Sequence, residues 1–199
     1  MRDFWDWFKI NSDKFLKIEM ADDLLAKEEL MNTLMQKLHA YCSHLYFELA
    51  SENGQYGELI ITAKGNEDYF GKADKLVEAA PYMENWEIIS LIPPRGISIE
   101  LDYEGLKLYP KKLWFLPLEN PKIPEAIGLQ VGIENYEELK GNRWLMTAIH
   151  EILDNIVGER FSAKIIQHVR IGALPTNPEV EGYIELEELL EYINWKKKR

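Results

Sequence analysis

Apolar positions recur with helical spacing between residues 22 and 49. Leu24, Met31, Leu38 and Leu45 stand seven apart, with Met35, Cys42 and Leu49 beside them in a stripe broken by Glu28. This pattern predicts a long N-terminal helix. Ala21-Asp22-Asp23 supplies acid at its start, which suits the positive end of a helix. Glu52-Asn53-Gly54 reads as a turn, residues 58–63 as a strand around Leu59-Ile60-Ile61, and Gly65-Asn66 as its end. A helix over 69–80 stops at Pro81, and a strand over 86–92 stops at Pro93-Pro94. The order is strand-helix-strand with short connections. If the strands are parallel, a right-handed crossover is expected.

The second half is richer in strands. Ile97, Ile99 and Leu101 alternate with polar residues, Glu104-Gly105 offers a turn, and Leu106 and Leu108 alternate again, as in a hairpin. Residues 111–116 contain Leu113-Trp114-Phe115-Leu116 and read as a buried strand. Residues 128–134 alternate Leu129, Val131 and Ile133, a strand with one covered face. Leu145, Ile149, Ile152 and Ile156 give a second long helix over 143–157 its core face. Gly158 is placed to end it in a left-handed conformation. A strand over 163–171, a loop at Pro175 to Pro178 and a short helix over 186–193 complete the chain.

The predicted fold class is therefore α+β: a mixed β-sheet covered by helices, with a long N-terminal helix, a β-α-β unit, a β-rich segment and a second long helix. Residues 1–199 read as a single domain, with subregions 1–93 and 94–199 meeting at the Pro93-Pro94 pair. Strand, strand, helix, strand in the second half partly echoes the first, without sequence similarity. The other proline clusters, Pro117 to Pro124 and Pro175 to Pro178, are too short for flexible linkers.

Composition narrows the function classes. The 199 residues are 46% hydrophobic and 29% charged, which suffices for a proper core. The net charge is -11, with 34 acidic and 23 basic residues, and this disfavours a broad grip on nucleic acid phosphates. Residues 1–100 carry -8 and residues 101–199 carry -3, the difference lying mainly in the final Lys196-Lys197-Lys198-Arg199. That tail suits the carbonyl end of a helix. A single cysteine, Cys42, precludes an internal disulfide and a multi-cysteine metal site. No apolar run approaches the roughly 20 residues of a membrane span. The opening Met1-Arg2-Asp3-Phe4-Trp5-Asp6 lacks the pattern of a signal peptide. The expected location is the cytoplasm, with no membrane association.

A series of short motifs carries a resemblance. It comprises Phe4-Trp5-Asp6-Trp7-Phe8, then Glu58-Leu59-Ile60-Ile61-Thr62-Ala63 with Gly65, then Leu76-Val77-Glu78-Ala79-Ala80-Pro81 with Trp86, and finally Ile152-Leu153-Asp154-Asn155-Ile156-Val157-Gly158-Glu159. In this order, over roughly residues 4 to 160, the chain resembles a family of uncharacterised bacterial proteins of similar length. The resemblance implies a bacterial, cytoplasmic, single-unit protein and brings no catalytic residue with it.

Chemistry-bearing constellations are few. Arg143, Thr147, His150 and Asp154 share one stripe of the second long helix, and Glu159 follows its end. A histidine oriented by a carboxylate can act as an acid or base near neutral pH. The simpler reading is a polar helix edge, paired locally for about 0.3 kcal/mol each. His39 and Cys42 stand three apart, but Cys42 lies on the apolar stripe and His44, His150 and His168 add no ligand pattern. Neither a metal site nor a cofactor is expected. Phosphate loops, Gly-x-Ser-x-Gly elbows and zinc-protease motifs do not occur. Glu137-Glu138 and Glu187-Glu188 read as solvated faces or helix starts.

Two function classes follow. One is a non-enzymatic interaction module, immunity- or adaptor-like, whose acidic body and terminal aromatics Trp5, Trp7 and Trp195 contact a protein partner, a basic one by charge complementarity. The other is a small hydrolase-like enzyme using His150 with Asp154 or Glu159 in a cleft. Terminal aromatics exposed beside carboxylates would favour the first class. Packed into the core, Phe4, Trp5, Trp7 and Phe8 would instead dock their segment onto the domain. The sequence leaves self-association open.

Overall fold

A computed structural model describes residues 1–20, 23–98, 101–103, 105–123 and 126–198. Ala21 and Asp22 of the acidic helix start, Ile99 and Glu104 of the hairpin, Pro124 of the second proline cluster and Arg199 of the tail lie outside the described residues. The chain forms two compact units, Met1–Ile92 and Pro93–Arg199, which divide at the Pro93-Pro94 pair. Both combine helices with mixed sheets, so the architecture is α+β.

The first unit begins with a helix that the sequence pattern did not announce, α1 (Arg2–Leu16). Phe4, Trp5, Phe8, Phe15 and Leu16 fall within one arc of a 3.6-residue repeat, and all five are buried. Helix α2 (Leu24–Tyr41) follows, capped by the Asp23 carboxylate, which accepts the Ala26 N–H at 3.0 Å.

The helix expected to reach residue 49 ends at Tyr41, and residues 46–52 turn out to be a strand. Cys42 is already extended, with φ -155°. Strand β1 (Tyr46–Glu52) pairs antiparallel with β2 (Tyr56–Thr62) through a turn in which Asn53 and Gly54 both take positive φ. Asn-Gly is a strong hairpin signal, and Tyr46 and Phe47 prefer a pleated surface. Leu45 is fully buried but lies beyond the end of α2, so its place in the helical stripe was coincidental.

Helix α3 (Phe70–Glu78) then carries the chain to β3 (Trp86–Ser90), which lies parallel to β2. The sheet order is β1-β2-β3. Leu59, Ile60 and Ile61 on the central strand are all fully buried, so both faces of β2 are covered. Helix α1 packs against β1 and β2, and α3 against β2 and β3.

In the second unit, β4 (Leu101–Tyr103) and β5 (Leu106–Leu108) form a two-stranded antiparallel ribbon. Residues 110–112 make a 3-10 turn, so the next strand, β6 (Trp114–Leu118), starts later than expected. It pairs antiparallel with β7 (Ile127–Ile133). Helices α4 (Tyr136–Leu139), α5 (Leu145–Val157) and α6 (Glu159–Ile165) lead to β8 (Ile166–Ala173), parallel to β7. The strand expected from residue 163 is delayed by α6. Gly158, at φ 87°, turns the chain sharply enough for a new helix to begin at once. A two-residue strand, β9 (Ile184–Glu185), joins the outer edge of β6, and a 3-10 turn leads into α7 (Leu189–Lys196). The order is β8-β7-β6-β9. The core of this unit gathers Phe115, Leu129 and Val131 with Ala148, Ile152, Leu153, Leu189 and Ile193, none more than 1% exposed.

Each unit therefore contains a central strand with an antiparallel partner before it and a parallel partner after a helical crossover. The echo expected from element order extends to strand direction.

Candidate functional site

The expected terminal aromatics have different fates. Trp5 is 2% exposed, and its indole N–H donates to the Leu76 carbonyl at 2.8 Å. Phe8 stacks on Phe15 at 5.4 Å between ring centres and meets Trp86 edge-on at 4.9 Å. The aromatic start is thus core, and Trp5 offers no contact surface. Trp7 is half-buried, 6.0 Å from Phe15, and lines a groove between α1 and α2. Trp195 remains exposed at 49%.

Trp195 belongs to a cleft in the second unit. On α7 and the turn before it, Glu188, Glu191, Tyr192 and Trp195 follow the spacing i, i+3, i+4, i+7 and share one face. Leu189 and Ile193 bury the opposite side in the core. Pro117 and Ile184 supply the apolar wall, and Glu119 completes the rim. The open volume is about 560 Å³.

The strand edge explains why a cleft exists there. Strand β9 covers only Trp114 and Phe115 of β6, leaving Pro117 beyond its reach. Proline has no N–H to offer at that edge, so it does not invite another strand.

Ring packing fixes the floor. Tyr192 lies 5.4 Å from Phe115 and 5.8 Å from Trp195. Burial, and then the Glu119 charge, raise the Tyr192 hydroxyl above its ordinary pKa of 10.0. The hydroxyl therefore stays neutral at physiological pH. Among the described residues three carboxylates and no cationic residue line the cleft. Carboxylates beside accessible aromatic faces attract a cation by charge and by the ring quadrupole. The neighbouring Lys197 is turned elsewhere, its Nζ 3.8 Å from the Phe161 ring centre.

The stripe on α5 is split by burial. Every residue from 152 to 159 is buried, whereas His150 lies on an exposed part of the helix. Asp154 is 5% exposed and Glu159 fully buried, and Asn155 and Ser162 are buried as well. The Asn155 carbonyl accepts the N–H groups of Arg95 at 2.7 Å and Gly96 at 3.1 Å, anchoring the segment after Pro93-Pro94. Partial burial of the His150 ring lowers its pKa below 6.5.

His39 is turned inward, with Nε2 3.1 Å from the Leu45 carbonyl oxygen. Among the described residues no group of three or more His, Cys, Asp or Glu side chains converges on a metal-sized site. Among them, too, no helix is long and apolar enough to cross a membrane.

Sequence reading found Trp195 but missed Glu188, Glu191 and Tyr192 as its companions. Their helical spacing was a usable signal. Pro117, Glu119 and Ile184 reach the cleft through strand pairing and carried no local signal. No protein-family model, curated protein or solved structure matches the chain.

Proposed function

We propose that the protein is a non-enzymatic interaction module that holds a basic segment of a protein partner in the Trp195 cleft. The observation that carries this reading is an exposed tryptophan, packed on Tyr192, in a cleft rimmed by Glu119, Glu188 and Glu191. Lysine or arginine side chains satisfy both the carboxylates and the ring faces. Such an anchor contributes about 2 kcal/mol, or about 30-fold in affinity, when well packed. An immunity- or adaptor-like role in the cytoplasm fits this chemistry. The hydrolase-like alternative needs His150 and a carboxylate together in a cleft, whereas His150 is exposed and Asp154 and Glu159 are buried.

Calorimetric titration with octa-arginine and octa-glutamate peptides tests the proposal. Octa-arginine binds, weakens with salt, and loses about tenfold or more in affinity on Trp195→Ala, a change that leaves the net charge untouched. Equal binding to wild type and Trp195→Ala would reduce the attraction to bulk acidity and remove the cleft from the account.

A further inference from the structure

At the opposite end of the same sheet from the Trp195 cleft lies an open strand edge. The order β8-β7-β6-β9 leaves β8 with a neighbour on one side. The far edge of that sheet is guarded, because β9 is two residues long and Pro117 stands beyond it. Strand β8 has eight residues, and none after Ile166 is buried. Its pairing is regular from His168 to Ala173, the register shift lying before that stretch.

Strand phase decides what the edge offers. The Leu174 N–H donates to the Ile133 carbonyl at 3.0 Å, so residue 174 turns its backbone toward β7. That direction alternates along a strand, and in a parallel pair one residue sends its N–H and its C=O to the same side. Arg170 and Gly172 therefore bond β7, whereas Val169, Ile171 and Ala173 direct their N–H and C=O groups outward. Among the described residues none of these outward groups has a partner.

The side chains define the occupant. Val169 and Ile171 lie half-buried against the core on the helix-covered face. Arg170 is exposed on the other face and makes no ion pair among the described residues. In line with it across the sheet stand Gln130 and Leu116, both uncharged. An added strand thus meets an apolar strip on one face and a guanidinium on the other.

We infer that the β8 edge takes up an extended segment of a partner protein as a further strand, with apolar side chains over Val169 and Ile171 alternating with acidic side chains beside Arg170. Backbone hydrogen bonds supply the attachment, and the alternation supplies selectivity. This edge is separate from the Trp195 cleft and does not depend on the partner assigned there.

The test uses the full chain, one peptide alternating valine with glutamate and one alternating valine with lysine, read by calorimetry and by amide exchange in NMR. The valine-glutamate peptide binds with sub-millimolar affinity, and the valine-lysine peptide at least about fivefold more weakly. Bulk attraction to a chain of net charge -11 gives the opposite order. Binding slows exchange of the Val169, Ile171 and Ala173 amides at least about tenfold, while those of Arg170 and Gly172, already in the ladder, change little. Ala173→Pro removes one outward N–H and weakens binding. Arg170→Glu, at an exposed position, keeps the wild-type circular dichroism and reverses the peptide preference. Equal affinity for the two peptides, tighter binding of the valine-lysine peptide, binding without protection of the three outward amides, or a wild-type dimer in sedimentation that already protects them would overturn the inference.

Discussion

Two tryptophans in the first unit make a sharp comparison. Trp5 and Trp86 flank Phe8, at 5.9 and 4.9 Å between ring centres, and both are buried. The Trp5 N–H has the Leu76 carbonyl at 2.8 Å, whereas the Trp86 N–H is buried with no acceptor among the described residues. Changing either to phenylalanine removes the same atoms, so the transfer and cavity costs are comparable. At Trp5 a hydrogen bond worth about 1 kcal/mol net is also lost. The Leu76 carbonyl is not orphaned, because it also accepts the Ala79 N–H at 3.2 Å. At Trp86 the swap removes a desolvated donor whose burial costs about 1–3 kcal/mol. Trp5→Phe should therefore destabilise more than Trp86→Phe, by about 2 kcal/mol. Urea unfolding followed by far-ultraviolet circular dichroism reads this directly. With a slope of about 2 kcal/mol per M, the midpoints should differ by about 1 M. Equal midpoints, or a lower midpoint for Trp86→Phe, would refute the reasoning.

Three further outcomes follow from the packing and the charges. A Cβ on Gly57 would sit 2.7 Å from the Trp86 ring, so Gly57→Ala should cost about 1–3 kcal/mol in urea unfolding, and Trp86→Leu should recover part of that loss in the double variant. His150 should titrate below 6.5 by NMR. The unfolded chain then takes up this proton first, so stability falls as pH drops through 6.5, the loss is complete below the folded pKa, and His150→Asn removes that slope. Glu119→Gln should lower the Tyr192 pKa in an NMR-monitored alkaline titration, because the Glu119 charge helps hold it up.

The limits of the sequence reading have physical causes. Period and turn chemistry gave the β2-α3-β3 unit and the α5 core face, because Leu59-Ile60-Ile61 and Leu145, Ile149, Ile152 and Ile156 report burial directly. The seven-residue repeat failed at Leu45 and Leu49, where a helical period continued by chance into a strand and Asn53-Gly54 held the better signal. Counted together, the aromatics at residues 4–8 left two readings open, a docked segment and a contact surface. Placed on a helix, three of them point inward and Trp7 alone lines a groove. Gly158 was correctly seen as a helix end, but not as the start of α6. The cleft was half legible: α7 declares its face by spacing, whereas Glu119 and Pro117 arrive by pairing of β6 with β7 and β9, which no local window contains. His150 and Asp154 share a stripe by arithmetic, yet the enclosure of residues 152–159 separates their environments.

The central claim is that the Trp195 cleft is the contact site for a basic partner. Its most direct test is affinity capture from source-cell lysate with wild type, Trp195→Ala and Glu188→Lys/Glu191→Lys, followed by mass spectrometry and by binding of the purified partner. The account predicts a stoichiometric partner whose contact segment is basic, lost in both variants and weakened by salt. A partner retained equally by all three proteins, with their circular dichroism unchanged, would contradict it.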